Sequence, residues 1–264
     1  MIKVAIAGIR GKMGQTALEA LTKRQGIEVV AAYDYKYSGL KIKKDDIQDQ
    51  VGIPIYDQLD TLVQETSPDV FFDVTRPDAV FENVNQAMDL GLHIVVGTSG
   101  LTESALDLLR AKQEQKGVSV VLAPNFSIGA VLMMKFAGMA ANYLEDVEII
   151  EMHHNEKVDA PSGTAMKTAQ LIQQQRTPHH QGAVGEEEQL HGARGADIDG
   201  MKIHSVRLQG LLAHQKVLFG STGELLTIQH DSFSRDSFKK GIVLAVEYAA
   251  NQKPQFIYGL ENVL

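Results

Sequence analysis

Residues 2–14, IKVAIAGIRGKMG, decide the fold class that this sequence predicts. A short apolar run, Ile2 to Ala7, is followed by glycines spaced three residues apart and then by the amphipathic stretch Gly14 to Lys23. This pattern is typical of a buried strand that turns tightly into a helix. Another β-branched run, Val29 to Tyr33, comes next. The order strand, helix, strand predicts a parallel sheet with crossover helices.

The same alternation continues to about residue 125. Helical patterns at Pro77 to Leu90 and Thr102 to Gln115 separate three more apolar runs. These runs are short and nearly continuous, as expected of strands buried on both faces: Val70 to Val74, His93 to Val96 and Val118 to Ala123. The sequence therefore predicts an α/β protein whose first domain is a doubly wound, Rossmann-type parallel sheet.

The pattern changes after Pro124. An apolar helix, Ile128 to Tyr143, leads to a strand at Val147 to His153 and then to a polar segment. Residues Arg176 to Gly200 contain several glycines and little apolar periodicity, which is typical of a long loop. Three β-like runs follow, with glycine-containing turns between them: His204 to Leu208, Gln215 to Phe219 and Leu225 to His230. We expect a second, α+β domain with a mixed or antiparallel sheet.

The last helical pattern, Ser237 to Ala250, is predicted to pack onto the first domain, which makes the second domain an insertion. We therefore expect residues 1–126 plus 235–264 to form a dinucleotide-binding domain. Residues 127–234 would form the substrate-binding domain.

Composition limits the function classes. The formal net charge of −8 argues against a nucleic-acid-binding surface, which needs clustered Lys and Arg. The chain has no cysteine, so disulfides, thiolate zinc sites and a Cys nucleophile are excluded. The longest apolar runs are far shorter than the roughly 20 residues of a membrane span, and Met1 leads directly into the first strand. We expect a cytoplasmic protein with no membrane segment.

The glycine turn Gly8-Ile9-Arg10-Gly11-Lys12-Met13 predicts a dinucleotide site. Glycines let the backbone approach a pyrophosphate, whose charge is met by the N–H groups at the helix N-terminus. The spacing is GxxGxxG rather than the commoner GxGxxG, and glycines here could also be simple turn formers.

Asp34 strengthens the dinucleotide interpretation. It stands at the end of the second predicted strand, where an acid would accept hydrogen bonds from the adenosine ribose hydroxyls. Arg10, Lys12 and Lys36 could each meet a ribose phosphate instead. The sequence therefore predicts NADH as cofactor, with NADPH tolerated.

The segment EMHHNEKVDAPSGTA, residues 151–165, predicts the reaction chemistry. Ser162 or Thr164 could cap the helix that follows, and Ser162, Gly163 and Thr164 would then present hydroxyl and backbone donors to a carboxylate. A reduction by hydride leaves negative charge on the substrate, which a proton donor must neutralise. Histidine titrates near pH 6.5, so His153 is one candidate donor and Lys157 is the other.

Other interpretations of this segment stay open. Adjacent histidines on a strand point to opposite faces, so either His153 or His154 could be structural unless the strand has ended. We expect no metal site, because no tight metal-ligand spacing links the histidines of the region from 153 to 191. These are His153, His154, His179, His180 and His191. A sugar or hydroxy-acid dehydrogenase and a non-catalytic NAD(P)-sensing protein are the alternative functions.

Residues 151–165 resemble the signature of the dihydrodipicolinate reductase family, which reduces 4-hydroxy-tetrahydrodipicolinate in the diaminopimelate route to lysine. The resemblance extends over essentially the whole chain, in GIRGKMG at 8–14, DVTRP at 73–77, VVGTSG at 95–100, APNFSIG at 123–129 and HSVRLQGLLAHQKVLFG at 204–220. It implies that His153 and Lys157 are catalytic and that His154, Gly163 and Thr164 bind the carboxylates of the substrate.

The resemblance also implies cofactor contacts. These would come from the turn at Gly8 to Met13, from Asp34, and from two further segments beside the nicotinamide: Gly97, Thr98, Ser99, and Ala123, Pro124, Asn125, Phe126. It further implies a homotetramer assembled through the sheets of the second domain. Arg10 inside the turn and Tyr35 after the acid depart from the commonest family pattern, which leaves the preference between NADH and NADPH open.

Overall fold

The structure is a computed structural model that describes residues 1–36, the backbone of 41–42, and 52–264. It divides into two compact units: residues Met1–Ile128 with Arg235–Leu264, and residues Gly129–Ser234. The strands are β1 Ile2–Ala7, β2 Ile27–Tyr33, β3 Lys41–Ile42, β4 Ile53–Tyr56, β5 Val70–Asp73, β6 His93–Val96, β7 Val120–Leu122, β8 Asp146–His153, β9 Ala196–Ile198, β10 Met201–Arg207, β11 Ala213–Ser221, β12 Glu224–Ser232 and β13 Phe256–Tyr258. The α-helices are α1 Lys12–Thr22, α2 Leu59–Thr66, α3 Val80–Asp89, α4 Glu103–Lys116, α5 Ile128–Ala140, α6 Gly163–Gln173 and α7 Lys239–Asn251.

The first unit is built on a parallel sheet with the strand order β13-β7-β6-β5-β1-β2-β4, and β3 pairs antiparallel with β4 at one edge. Strand order reverses at β1, which lies between β5 and β2. In doubly wound sheets, ligands bind beyond the carboxyl ends of the strands at such a reversal. The predicted Rossmann-type parallel sheet is confirmed.

Burial explains why these runs form strands. Residues Val4 to Ala7 of β1 and all four residues of β5 are buried, as the continuous apolar pattern predicts for strands covered on both faces. The largest side chains in this core include Phe71, Leu62 and Ile94. The helices contribute apolar stripes to the same cluster.

The second unit contains a five-stranded mixed sheet with the order β12-β11-β8-β10-β9. Strands β8 and β10 run parallel, and the other neighbouring pairs are antiparallel. Val147 and Ile149 of β8 point to a core that includes Ala165 and Ile172 of α6. Residues Glu148, Ile150 and Met152 alternate with them and are partly exposed. This confirms the predicted α+β unit with a mixed sheet.

The predicted loop at Arg176 to Gly200 contains strand β9. Polar side chains, rather than an apolar stripe, anchor this segment. The buried guanidinium of Arg176 donates to the carbonyl oxygens of Glu145 and Asp199, and Gln181 bonds both the N–H and the carbonyl of Val147. Ile198 of β9 is a single apolar residue that packs against the core, so the segment has no repeating apolar pattern that periodicity could detect.

In the part of the chain that the structure describes, no helix combines the length and the apolar character that a membrane crossing requires.

We expect Ile6→Ala to destabilise the protein by about 2–5 kcal/mol, because the Ile6 side chain is fully buried at the centre of the parallel sheet. Ile2→Ala is the matched control, since Ile2 is the same residue type on the same strand and is only partly buried; it should cost about 1 kcal/mol. Urea denaturation followed by circular dichroism measures both. Equal losses would contradict the burial pattern.

Candidate active site

The glycine turn after β1 has the compact shape that the sequence predicted. Gly8 adopts a φ of +81°, and a Cβ there would lie 2.6 Å from the carbonyl oxygen of Val74. A Cβ on Gly14 would come 2.5 Å from the Cα of Ile9 and would collide with the carbonyl oxygen of Gly8. The N–H of Gly11 donates to the Gly8 carbonyl at 3.0 Å and closes the turn. Only glycine fits Gly8 and Gly14 without moving the backbone.

This turn fits the pyrophosphate of a dinucleotide. Helix α1 begins at Lys12, and its N-cap, Gly11, has no side chain with which to cap the helix. Its first turn contains no acidic residue, and Arg10, Gly11 and Lys12 are exposed. Exposed N–H groups, the positive end of the helix dipole and two cations together suit a phosphate. The Ile9 side chain is buried, so Ile9 can contribute only its backbone.

Asp34 lies directly after β2, which ends at Tyr33 as the apolar run predicted. Its N–H donates to the carbonyl of Tyr56 at 2.9 Å, and its Oδ1 accepts from the N–H of Lys36 at 2.9 Å. Because β1 and β2 are parallel neighbours, Asp34 and the glycine turn lie at the same edge of the sheet. Tyr35 and Lys36 are exposed there, with the Lys36 Nζ 5.3 Å from the centre of the Tyr35 ring.

The two other predicted cofactor segments begin where β6 and β7 end. Gly97, Thr98 and Ser99 follow Val96, and Ala123 to Phe126 follow Leu122, so both lie at the carboxyl edge of the parallel sheet. The Phe126 ring is buried and stacks on Phe72 at 5.6 Å. Phe126 therefore supports this edge from inside the core.

Asp73, the last residue of β5, organises the same edge. Its buried carboxylate accepts hydrogen bonds from the Thr75 N–H at 3.0 Å, from the Thr75 hydroxyl at 2.7 Å, from Asn83 at 2.9 Å and from the Thr98 hydroxyl at 2.8 Å. It thus ties the turn after β6 to the turn after β5. Sequence reasoning assigned Asp73 no role, although an acid that ends an otherwise apolar strand was a usable signal.

In the second unit, β8 ends at His153, so His154 lies beyond the strand and the alternation of faces does not separate the two histidines. The Nδ1 of His153 lies 2.5 Å from the Oε2 of Glu151. Burial lowers the pKa of the His153 imidazole; the hydrogen bond and charge of Glu151 partly oppose this effect, and the charges of Lys157 and Arg207 add to it.

Lys157 lies in the turn that follows. Its N–H donates to the His154 carbonyl at 3.2 Å, and its Nζ forms an ion pair with Asp159 at 2.6 Å. The hydrogen bond from Lys157 holds the pKa of the Asp159 carboxyl below its usual range. The predicted candidates His153, His154 and Lys157 therefore lie within one strand end and one turn.

Helix α6 begins at Gly163, and its N-cap is Ser162 rather than Thr164. The Ser162 Oγ accepts from the Ala165 N–H at 3.2 Å, and Ser162 is buried. The hydroxyl oxygen of Ser162 thus caps the helix, and its O–H keeps a hydrogen to donate, so the predicted contact of Ser162 with the substrate stays a prediction. Gly163 and Thr164 form the first turn, where backbone N–H groups point out of the helix.

Sequence reasoning missed two charged residues beside His153. The Glu151 side chain is fully buried, and Arg207 of β10 bonds both of its oxygens, at 2.9 Å and 2.8 Å. Burial raises the pKa of Glu151, but hydrogen bonds from Arg207, Ser205 and His153 outweigh it and lower that pKa below its usual value. Glu151 follows Val147 and Ile149 at alternate positions of β8, so the sequence placed an acid on the core-facing side of the strand, which was a usable signal. Arg207 is far away in sequence and gave none.

Across residues 1–36 and 52–264, no group of three His, Asp or Glu side chains is arranged to hold a metal ion. The Nε2 of His179 instead forms a hydrogen bond with Asp146 at 2.8 Å, and the His191 side chain is exposed.

Comparisons with known proteins identify the family of this chain. Two family models match, described as the N-terminus of dihydrodipicolinate reductase over residues 2–126 and its C-terminus over residues 129–264. A 4-hydroxy-tetrahydrodipicolinate reductase of Lysinibacillus sphaericus (strain C3-41) is 51% identical, over 100% of this chain and 99% of the relative. One from Bacillus mycoides (strain KBAB4) is 49% identical, over 100% and 98%.

Solved structures give the same result. A dipicolinate-bound dihydrodipicolinate reductase from Paenisporosarcina sp. TG-14 is 46% identical, with a TM-score of 0.90 over 100% of both chains. An amine dehydrogenase from Mycobacterium smegmatis has a TM-score of 0.69, over 97% of this chain and 94% of its own, but at 11% identity it shares the fold alone. On the family models and the full-length relatives, this chain belongs to the dihydrodipicolinate reductase family.

Proposed function

We propose that this chain carries out the reaction of its family, an NAD(P)H-dependent reduction of 4-hydroxy-tetrahydrodipicolinate in the diaminopimelate route to lysine. One hydride and one proton are consumed, and tetrahydrodipicolinate, NAD(P)⁺ and water are formed. The observation that carries the proposal is the placement of His153 beside the N-terminus of α6, where the Glu151 carboxylate contacts both the His153 ring and the Ser162 N–H. Lys157 lies in the turn between β8 and α6. The relative from Paenisporosarcina, whose structure contains dipicolinate, supports a cyclic dicarboxylate as ligand.

The predicted dinucleotide-binding domain, residues 1–126 plus 235–264, lies within the first unit and would hold the dinucleotide. The backbone from Gly8 to Met13 would meet the pyrophosphate, and Asp34 the adenosine ribose. The turns at Gly97 to Ser99 and Ala123 to Phe126 would border the nicotinamide. When bound, the reduced nicotinamide supplies the hydride.

Residues 127–234 would bind the substrate. The N–H groups of Gly163 and Thr164, at the positive end of the α6 dipole, are suited to one carboxylate. His154 and Lys157 would meet the other negative charge. Lys157 is now paired with Asp159, whose side chain is 62% exposed, so a substrate carboxylate can replace Asp159 at small cost.

His153 would donate the proton. A proton donor must be protonated before it acts, and burial lowers the His153 pKa. A dicarboxylate bound beside the ring would raise that pKa again, because negative charge favours the imidazolium. Turnover should therefore fall as the pH rises through the pKa that His153 has in the substrate complex. Lys157 is the second candidate acid.

The alternative functions fit the site less well. A sugar or hydroxy-acid dehydrogenase has no need for two imidazoles, an ammonium and a helix N-terminus around one small substrate. A non-catalytic NAD(P)-sensing protein has no need for a buried acid behind His153. The sensor hypothesis is tested directly by whether bound cofactor is oxidised.

We expect His153→Ala and Lys157→Ala each to lower turnover by about 10²-fold or more, the scale of general acid catalysis. The assay follows loss of NADH or NADPH absorbance, in separate reactions, with freshly generated 4-hydroxy-tetrahydrodipicolinate. His191→Ala and Lys253→Ala are matched controls, because both side chains are exposed and lie outside the site. Near-normal turnover in both site variants would contradict the assignment, and binding of cofactor without oxidation in the unmodified protein would favour the sensor.

We expect Gly14→Ala to weaken binding of NADH and NADPH by at least about tenfold, or about 1.4 kcal/mol. The added Cβ collides with the Gly8 carbonyl and forces the phosphate turn open. Isothermal titration calorimetry measures the loss. Gly220→Ala is the control, because a Cβ there has only an ordinary contact, 3.9 Å from Asp146. Unchanged affinity in Gly14→Ala would place the cofactor elsewhere.

We also propose that the protein is a cytoplasmic homotetramer assembled through the sheet of the second unit. The face of this sheet opposite α6 has partly exposed apolar residues, among them Ile150, Val206 and Leu225. Strand register places these three side chains on one face. Exposed apolar side chains on one sheet face are typical of a surface that another chain covers, although Glu148, His204 and Lys216 share this face.

Light scattering on the purified protein should give the mass of four chains, each 28.9 kDa. We expect Leu225→Glu to reduce that mass, because a charge buried in an apolar interface is costly. Leu190→Glu is the matched control: Leu190 is also exposed, but it lies in the segment before β9. A monomer before any substitution, or an unaffected tetramer in Leu225→Glu, would contradict this interface.

A further inference from the structure

We propose that Glu151 and Arg207 form a buried positioning pair that fixes the tautomer of His153, so that Nε2 is the imidazole atom that exchanges a proton with the substrate. The part about the substrate rests on the proposed function. The part about the tautomer concerns the protein alone and can be tested without turnover.

Besides the hydrogen bond from Ser205, four hydrogen bonds define the position of the Glu151 carboxylate. Its Oε2 lies 2.5 Å from the His153 Nδ1 and 2.9 Å from the Arg207 Nη1. Its Oε1 accepts from the Arg207 Nη2 at 2.8 Å and from the Ser162 N–H at 3.2 Å. An ionised carboxylate can only accept hydrogen bonds, so the His153 Nδ1 must carry the hydrogen. The remaining ring nitrogen, Nε2, is then the atom whose proton can be given to a substrate.

Arg207 makes this tautomer stable. A buried carboxyl without a cation would take up a proton and could then donate to Nδ1, which would reverse the tautomer. The guanidinium is always charged and binds both carboxylate oxygens, so it keeps Glu151 ionised. Its Nη2 also donates to the Asp159 carbonyl at 2.6 Å. Arg207 therefore connects the end of β8 with the turn that carries Lys157.

Stability alone gives a weak reason for such a pair. A buried ion pair often contributes no more to folding than apolar residues of the same volume. The positions Val147, Ile149 and Glu151 point to the same face of β8, and the first two fill the core. A charged residue at the third position is explained by its contact with His153.

The charged groups that face His153 come from three elements. Glu151 lies on the same strand, Lys157 in the following turn and Arg207 on β10; Asp159 stands behind them, bonded to Lys157. Strand β11 places Ala213 opposite His153, and α6 contributes the neutral cap Ser162. Glu151 is thus the negative group in direct contact with the ring. Removing its charge should make the imidazolium less stable.

Nitrogen NMR of the full-length protein with ¹⁵N-labelled histidine, without ligands, tests the tautomer. The His153 signals are assigned by their loss in His153→Ala. We expect the neutral ring to carry its hydrogen on Nδ1. In Glu151→Gln the population of this tautomer should fall, and the His153 titration should move about one pH unit lower. Glu148→Gln is the matched control, because Glu148 is also on β8 and is also bonded to a histidine and an arginine, His204 and Arg194; it should leave His153 unchanged.

Steady-state kinetics then connects the tautomer to catalysis. We expect Glu151→Gln to lower kcat about 10- to 100-fold, with the substrate KM changed less than about threefold. The fall of kcat at high pH should move to lower pH with the NMR titration, because the general acid loses its proton earlier.

Three results separate the possibilities. A hydrogen on Nε2 of neutral His153 in the unmodified protein would overturn the proposal, whether or not Glu151→Gln folds. A lower kcat in Glu151→Gln, with the His153 titration at the same pH as in the unmodified protein, would mean that Glu151 has only a structural role. This result would also overturn the proposal. If His153 has the predicted tautomer but the protein does not turn over 4-hydroxy-tetrahydrodipicolinate, the positioning pair is supported and the proposed function is wrong.

Discussion

The second-unit site depends on one buried, ionised carboxylate. Glu151 joins the end of β8, the guanidinium on β10 and the backbone at the start of α6, and each partner satisfies part of its charge. A carboxylate in the core is costly unless such partners are complete. The same contacts that satisfy Glu151 therefore fix the positions of His153, Ser162 and Arg207.

The first unit uses a second buried carboxylate in a different way. Asp73 is satisfied by hydroxyl, amide and backbone donors, all of them neutral, and it holds the turns after β5 and β6 together. No histidine or lysine is among these partners, so Asp73 shapes the edge without coupling it to a proton. Glu151 contacts an imidazole, and its charge changes what that imidazole can do. The donors around each acid thus show its role: Asp73 holds the backbone turns together, and Glu151 acts on the proton of His153.

The sequence predicted the features that depend on local pattern. Continuous apolar runs identified β1, β5 and β6, and the glycine spacing identified the turn into α1. It left the cap of α6 between Ser162 and Thr164, because both can cap and only the backbone after β8 decides. The contact of Arg207 with Glu151 could not be predicted from the sequence, because it arises from the pairing of β8 with β10. Strand β9 was missed because polar side chains hold its segment. Nonlocal pairing and polar anchoring leave no periodic signal.

Two ion pairs near His153 differ in strength, and burial explains the difference. Glu151 with Arg207 joins β8 to β10, and Lys157 with Asp159 lies in the turn after β8. The pair of Glu151 with Arg207 is shielded from water, so separating it would leave an uncompensated charge in the core, at a cost of about 3–5 kcal/mol. The pair of Lys157 with Asp159 has a largely exposed acid and is worth about 1 kcal/mol or less. In the proposed substrate complex, the dianion would therefore displace Asp159 from Lys157 and leave Arg207 bonded to Glu151. Lys157 can therefore change its partner, whereas Glu151 and Arg207 stay bonded and keep His153 in position.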